Sequence, residues 1–485
     1  MDKYTHHSRL GPRSIRMTRD RRGGARLGLR VIASVGAALL VAGSLAEASA
    51  PSGDRERGQK RPNVLIIMTD DQRNNLRAMP MTQKLLQDKG RRFINAFAST
   101  PNCCPSRTSL FSGRYSHNHG VQNNQLAHML DHATTLQRYL HDDGYRTALF
   151  GKFLNAWKAH NDPPYFDRWA IYKHASGVYY DGKYSVNGSI KRIRQYATDY
   201  LSNKAVDFIK SSEKSDSDPW LMYVTPNAPH EPAEPENSYK GADVGVWPGN
   251  PAVFEEDLSD KPPYVRNKKI SRAEVIAFRN RQLRSVMSVD DMVERLFKTL
   301  RKLDENRETI VIFTSDNGYF WGEHGLRGKW LPYEQSVHIP LIIRWPEHIA
   351  EDTEDDRLVV NVDIAPTILD AVGIEPNPDL PMDGKSLLDT SWDRSKILLE
   401  YGSRGPRENR MEVPTWKGLR TETAAYTEYY DEFGVVDFRE YYDLIQDPYE
   451  LENLLEDDDL SNDGPAEVLQ AELTTVKNCK GSACP

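Results

Sequence analysis

Cys103 and Cys104 stand side by side at the head of Cys103-Cys104-Pro105-Ser106-Arg107-Thr108-Ser109-Leu110-Phe111-Ser112-Gly113-Arg114. Neighbouring cysteines are poorly placed to bond to each other. Two free thiols need an explanation in a chain with an export-like leader; the plain alternative is a buried cysteine pair beside a helix start. Elsewhere, acids and amides cluster in Thr69-Asp70-Asp71-Gln72 and Asp316-Asn317-Gly318. Adjacent carboxylates repel unless a cation sits between them. Asp70, Asp71, Asp316 and Asn317 offer only hard oxygen donors, which suit Ca²⁺ or Mg²⁺ and not zinc. Taken singly, Asp70-Asp71 also reads as a turn or helix cap, and Asp316-Asn317-Gly318 as a turn. A third polar cluster, Pro226-Asn227-Ala228-Pro229-His230, ends in a histidine.

The surrounding pattern supplies the elements that position these groups. NVLIIM (63–68) is a continuous apolar run, as in a strand buried on both faces. Similar runs follow at TALFG (147–151), WLMYVT (220–225), TIVIFTS (309–315) and PLIIRW (340–345). Helical patterns fall at 80–90, 104–113, 192–212, 271–304 and 363–373. The alternation predicts an α/β fold, a large mostly parallel sheet flanked by helices. Residues 232–268, rich in Pro, Gly and Asp, read as a long surface excursion. Beyond about residue 380, KILLEYG, TWKGLRTETAAYTEYY and REYYDLI predict a small antiparallel sheet with a terminal helix. Ligands of open α/β sheets collect at the carboxyl ends of strands. All three polar clusters fall at such ends.

The segment from Cys103 to Arg114 resembles the sulfatase signature C-x-P-S-R-x-x-x-L/F-T/S-G-R, in which the first cysteine is oxidised to formylglycine. NVLIIMTDDQ, GKFLNAW, APHEP, TSDNGYFWGEHGLRGKW, NVDIAPTILD and YYDLIQDPYELENL are similar to sulfatase segments in the usual order, over residues 62–455. The resemblance implies an alkaline-phosphatase-like fold. CCPSR with HNHGV, and GKFLN followed by DPPYFDRW, are most similar to the N-acetylglucosamine-6-sulfatase and heparan 6-O-endosulfatase branch. Simpler aryl or alkyl sulfate esters stay open as alternative substrates.

The resemblance implies that Asp70, Asp71, Asp316 and Asn317 hold Ca²⁺, or Mg²⁺, together with the modified Cys103. It implies that Arg107 holds the formylglycine hydrate, that Lys152, Lys329 and His230 contact sulfate oxygens, and that His230 or Lys329 protonates the leaving oxygen. A hydrate has two geminal hydroxyls: one attacks sulfur, and the other lets sulfate leave as the aldehyde reforms, a second step that serine lacks. Many arylsulfatases read G-K-W-H where this chain has Gly151-Lys152-Phe153-Leu154-Asn155, so the second-step base stays unassigned, with His117 and His119 as candidates. Phe153, Trp157, Tyr165, Phe166 and Trp169 follow Lys152 and suit sugar C–H faces, or else they pack under a loop. Asp316→Ala is expected to abolish activity and spare the fold, since the cluster lies at strand ends. The rival readings are a phosphate or phosphonate ester hydrolase on the same scaffold and a glycan-binding relative with unmodified Cys103.

Composition suits a soluble globular protein rather than a disordered or membrane-embedded one. Of 485 residues, 39% are hydrophobic and 27% charged, with net charge −7. Residues 1–50 hold nine Arg or Lys against three Asp or Glu, which leaves the remainder strongly acidic and argues against a nucleic-acid partner. A basic stretch from Arg9 to Arg30, the apolar run VIASVGAALLVAGSL and Ala48-Ser49-Ala50 read as a signal peptide over 1–50. The run is short of the roughly 20 residues of a membrane span, so no stable membrane insertion is expected; an uncleaved anchor is the alternative. Arg21-Arg22 is a poor twin-arginine match, and the export route, to the periplasm or beyond, stays open. The domains expected are a catalytic α/β domain over 51–380 and an antiparallel subdomain with tail over 381–485. Cys479 and Cys484 should form a local disulfide. The expected partners are a sulfated carbohydrate or other sulfate ester, and a formylglycine-generating enzyme during maturation.

Overall fold

The run at 63–68 forms strand β1 (Asn63–Thr69), with all seven residues buried. The computed structural model describes residues 61–485 apart from 174–177, 215–217, 254, 267–269, 404–412 and 458. The leader expected over 1–50, including Arg21-Arg22, lies outside the described residues. Nine further strands join β1 in the main sheet: β2 (Arg91–Phe93), β3 (Arg146–Gly151), β4 (Arg168–Tyr172), β5 (Gly182–Val186), β6 (Ser189–Ile193), β7 (Trp220–Thr225), β8 (Thr309–Ser315), β9 (Leu341–Arg344) and β10 (Thr353–Asp355). Their spatial order is β10-β2-β9-β8-β1-β7-β3-β4-β5-β6. The central five, β8-β1-β7-β3-β4, are mutually parallel, and β9, β5 and β6 run antiparallel to their neighbours. The fold is a large, mostly parallel sheet flanked by helices, as the sequence predicts.

Side chains alternate across β1, so both faces need cover. Leu65 and Ile67 pack with α3 (Ala197–Ser212) and α4 (Arg272–Lys302). Val64, Ile66 and Met68 pack with α1 (Cys103–Ser112), α2 (Leu136–Asp142) and α5 (Ile364–Val372). On α4, Val275, Phe278, Gln282, Val286, Val289, Val293, Leu296 and Leu300 recur every three or four residues and are buried, the stripe of a helix on a sheet. Register matters more for function. Thr69 lies opposite Ser315, and Gly151 opposite Thr225, so the residues after β1, β8, β3 and β7 emerge side by side.

A second sheet follows: β11 (Lys396–Tyr401), β12 (Thr415–Thr421), β13 (Ala424–Tyr430) and β14 (Val436–Asp443), all antiparallel. Leu398, Trp416, Tyr426 and Tyr441 pack there with Leu469 and Leu473 of the terminal helix α6 (Gly464–Val476). The Cys479–Cys484 disulfide is present, with Cα atoms 5.0 Å apart.

Three elements differ from the sequence pattern. The helix expected over 80–90 is a single α-turn (Pro80–Thr82) running into a π-turn (Gln83–Gln87). Asp290 of α4 accepts the backbone N–H of Met81 and Thr82 and fixes that start. The helix expected over 192–212 begins at Ala197, because Ser189–Ile193 hydrogen-bonds to β5 as an edge strand. The run at 340–345 forms β9, which is antiparallel to β8. Between these strands lie a small ribbon (Phe320–Trp321 with Arg327–Gly328) and the short turn Glu334–Val337, with no crossover helix to return the chain for parallel pairing.

Candidate active site

Each candidate group comes from a different chain segment, and all converge above β8-β1-β7-β3. Asp316 N–H donates to Thr69 O (3.1 Å) and Asp71 N–H to Asp316 Oδ1 (3.1 Å), which ties the ends of β1 and β8 together. Asp71 takes φ +67°, an uncommon backbone for a non-glycine residue that this tie sustains. At the end of β3, Gly151 has φ +127°, and a Cβ there would lie 2.0 Å from Thr225 O. The chain can therefore pass close to β7 and turn Lys152 inward; Lys152 N–H donates to Thr225 O (2.8 Å).

Cys103 opens α1, and its Sγ lies 3.6 Å from Asp70 Oδ1. Arg107, one turn on, is completely buried. Its Nε donates to Asp316 Oδ2 (2.8 Å), its Nη1 to Lys152 O (2.9 Å), and its Nη2 stands 3.8 Å from Asp70 Oδ2. Lys152 Nζ donates to Asp70 Oδ2 (2.7 Å). Lys329 Nζ donates to Cys103 Sγ (2.7 Å), to Asn317 Oδ1 (3.3 Å) and to Asp71 Oδ1. His230 places Nε2 3.8 Å from Asp71 Oδ2. The structure thus brings together all of Asp70, Asp71, Cys103, Arg107, Lys152, His230, Asp316, Asn317 and Lys329.

Three buried carboxylates face three buried cations. Burial alone would raise the Asp70 carboxyl, but Lys152, His230 and Arg107 outweigh it and hold it at about 2. Burial is likewise overcome at Asp71, chiefly by Lys329, and its carboxyl is lowered. Desolvation works against the charges of Lys152, Arg107 and Lys329, yet the carboxylates raise all three. Burial pushes the thiols of Cys103 and Cys104 up to about 12. An unmodified Cys103 is therefore a protonated, weak nucleophile.

The donor set fits a divalent cation. Ligand atoms of Asp70, Asp71, Cys103 and Asp316 all lie within 4.8 Å of one another. The Lys329 ammonium sits where Asp71, Asn317 and Cys103 meet, so this corner accommodates a positive charge. Hard oxygens favour Ca²⁺ or Mg²⁺. Because three cations already balance three carboxylates, a bound divalent ion would leave the pocket positive, which favours an anionic ligand.

Supporting side chains were missed by sequence reasoning. Ser106 Oγ donates to Asp316 O. Asn361 Nδ2 donates to Ser106 Oγ (2.9 Å), and Asn124 Oδ1 accepts Cys104 N–H (2.9 Å). Tyr179 Oη donates to His230 O (2.7 Å). Ser106 lies inside the signature and Asn361 heads NVDIAPTILD, so both were within reach; Asn124 and Tyr179 carry no local signal.

Two expectations need correction. His117 binds Glu400 through Nδ1 (2.9 Å) and Cys479 O through Nε2 (2.9 Å), and His119 binds Ser109 Oγ through Nε2 (3.1 Å) while Nδ1 accepts Val121 N–H (3.1 Å). With both ring nitrogens engaged in structure, neither serves as the second-step base. Phe153 and Phe166 are buried, not sugar-facing. They pack edge-on with each other and, through Phe166, with Tyr223, while Trp157 closes over Phe153 at 5.0 Å.

The sulfatase family model matches residues 62–374. The chain belongs to the sulfatase family. A model described as N-sulphoglucosamine sulphohydrolase, C-terminal, matches residues 322–478. The N-acetylglucosamine-6-sulfatase of Capra hircus is 31% identical over 488 residues, covering 88% of this sulfatase and 85% of that protein. The N-acetylglucosamine-6-O-sulfatase of Bacteroides thetaiotaomicron is 28% identical, covering 86% of each. This sulfatase spans 32% of the length of the Drosophila melanogaster extracellular sulfatase SULF-1 homolog, to which it is 35% identical, and 48% of the putative Caenorhabditis elegans Sulf-1 homolog. A solved structure described as a complex with its substrate D-glucosamine-2-N,6-O-disulfate superposes with TM-score 0.74 and 25% identity, covering 86% of this chain and 98% of that one. Among the described residues, no helix is long and apolar enough to cross a membrane.

Proposed function

We propose that this enzyme hydrolyses sulfate monoesters of a 6-sulfated glucosamine-type sugar, with Cys103 oxidised to formylglycine and Ca²⁺, or Mg²⁺, held by Asp70, Asp71, Asp316 and Asn317. One observation carries the reading: residue 103 stands amid three carboxylates and three cations at adjacent strand ends. The names of the goat and Bacteroides relatives, and the disulfated glucosamine ligand of the solved structure, support the sugar.

The modified side chain would supply a hydrate nucleophile with a second hydroxyl, and the cation would neutralise anionic oxygens. The chain's own residues do the rest. Arg107, fixed by Asp316 and by the Lys152 carbonyl, holds residue 103 and offsets negative charge at the start of α1. Lys152 and Lys329 meet sulfate oxygens. His230 is partly open, at 21% side-chain exposure, and with Lys329 is placed to deliver a proton to the leaving oxygen.

Cys103 is 2% exposed, so a formylglycine-generating enzyme must meet this segment before it packs. Export by the leader at 1–50 completes the proposal, and the extracellular relatives support it. Mass spectrometry of the peptide containing Cys103 should find the aldehyde at 103 and a thiol at 104. The substrate is tested by kcat/KM on glucosamine-6-sulfate, galactose-6-sulfate, choline sulfate and nitrophenyl sulfate. Equal or better turnover of the choline or aryl ester would overturn the sugar and leave sulfate ester hydrolysis standing.

A further inference from the structure

The two candidate proton donors ride on separate loops, and one ion pair joins those loops at the rim. His230 lies in the segment after β7; its Nδ1 is engaged with Glu231 O (2.8 Å) and its own carbonyl accepts from Tyr179 Oη, which leaves Nε2 to face the site. Lys329 follows the ribbon in which Trp321 pairs with Arg327, two residues before it. Arg327 Nη2 donates to Glu231 Oε1 at 2.6 Å. The guanidinium is held from behind: it lies 4.4 Å over the Phe278 ring of α4, and Phe278 stacks on Tyr319 at 5.1 Å. Burial works against the Arg327 charge, but Tyr319, Glu231 and Glu274 outweigh it and raise the group. Arg327 is thus the fixed partner and Glu231, half exposed, the tethered one.

We infer that Glu231 and Arg327 are positioning residues, a tie that sets the spacing of His230 and Lys329 for delivery of a proton to the leaving oxygen. The inference rests on the reading of those two groups given above. An exposed ion pair contributes little to stability, but a proton donor displaced by a fraction of an ångström loses much of its effect. Removing the tie should therefore cost turnover rather than folding.

The test uses leaving-group dependence, which a merely structural role does not move. A sugar alkoxide needs a proton to depart and a nitrophenolate does not. With the matured full-length enzyme, Glu231→Gln and Arg327→Met should each lower kcat on glucosamine-6-sulfate on the order of tenfold. They should change kcat on nitrophenyl sulfate less than about twofold, with KM and thermal unfolding near wild type. Glu231→Asp should recover part of the loss. The double variant should be no worse than the poorer single, since both remove one interaction. Equal losses on both esters, or additive losses in the double variant, would overturn the tie. The controls are His230→Gln and Lys329→Met. If neither discriminates between the esters, the proton-donor reading falls and the tie with it. If one does while the pair variants do not, the tie alone falls.

Discussion

At residue 103 the chemistry depends on charges that are costly to bury. Arg107, Asp70 and Asp316 have no exposed side-chain surface, and the guanidinium stands 3.8 Å from the Asp70 carboxylate and 2.8 Å from that of Asp316. This changes one expectation drawn from sequence, that Asp316→Ala would spare the fold because strand ends lie outside the core. Deleting that carboxylate strips Arg107 of its 2.8 Å partner, and breaking a buried pair costs about 3–5 kcal/mol. Denaturant titration should show such a loss for Asp316→Ala. Asp316→Asn should keep an acceptor for Arg107, unfold near wild type, and still lack activity. A stable and active Asn variant would remove Asp316 from the site. The same cluster tests the cation: after chelation, Ca²⁺ or Mg²⁺ should restore turnover better than Zn²⁺, and the reverse order would refute the hard-oxygen argument. At position 103 itself, Cys103→Ser has one hydroxyl and no route to expel sulfate, so it should give at most a single turnover. Full steady-state activity would sink the formylglycine proposal.

At the scale of elements, what the sequence made legible was burial. A strand apolar on both faces, such as Asn63–Thr69, has one way to sit, in the middle of a parallel sheet, and the polar residues after it must then lie at a ligand-binding edge. That logic recovered β1, β3, β7 and β8 and put the clusters holding Asp70, Asp71, His230, Asp316 and Asn317 at strand ends. It failed where partners distant in sequence decide the outcome. The carboxylate of Asp290 reshapes the turn at 80–87, β5 recruits Ser189–Ile193, and an aromatic stack claims Phe153 and Phe166. None of these leaves a periodic trace. The signature likewise announced Arg107 but not Asn124 or Tyr179, which reach the site from loops with no pattern. Gly151 shows how closely strand and site are coupled. Its backbone at φ +127° and the 2.0 Å approach to Thr225 O leave no room for a methyl group. Gly151→Ala should cost about 2 kcal/mol or more and shift Lys152 away from Asp70. A variant with wild-type stability and kcat/KM would show that β3 can yield there freely.

Across the whole molecule, the second sheet is fastened to the segment that follows α1 by a buried acid–histidine pair. Glu400 of β11 accepts from Ser116 Oγ and the His117 backbone and faces His117 Nδ1, while the disulfide-closed tail offers Cys479 O to His117 Nε2. Burial would raise the Glu400 carboxyl, yet His117 and Lys417 bring it down to about 2, well below the ordinary 4.5. A depressed carboxylate contributes stability above its unfolded pKa and loses it as pH falls from about 4.5 toward 2. Burial would lower His117, but the bond to Glu400 outweighs it and raises the imidazole above its ordinary 6.5. A raised histidine contributes fully below about 6.5 and loses its share as pH rises through the folded value. The pair is therefore strongest between about pH 4.5 and 6.5. In that window Glu400→Gln should destabilise by about 2–3 kcal/mol, the worth of a buried charge-assisted hydrogen bond. The telling measurement is thermal unfolding of wild type and His117→Gln across pH 4–9. The gap between them should be widest near pH 5–6 and should narrow above neutrality, as the wild-type imidazole loses its proton. A gap that stays constant or widens toward pH 9 would mean that His117 holds the second sheet as a neutral ring, and that the ion pair contributes nothing to the fastening.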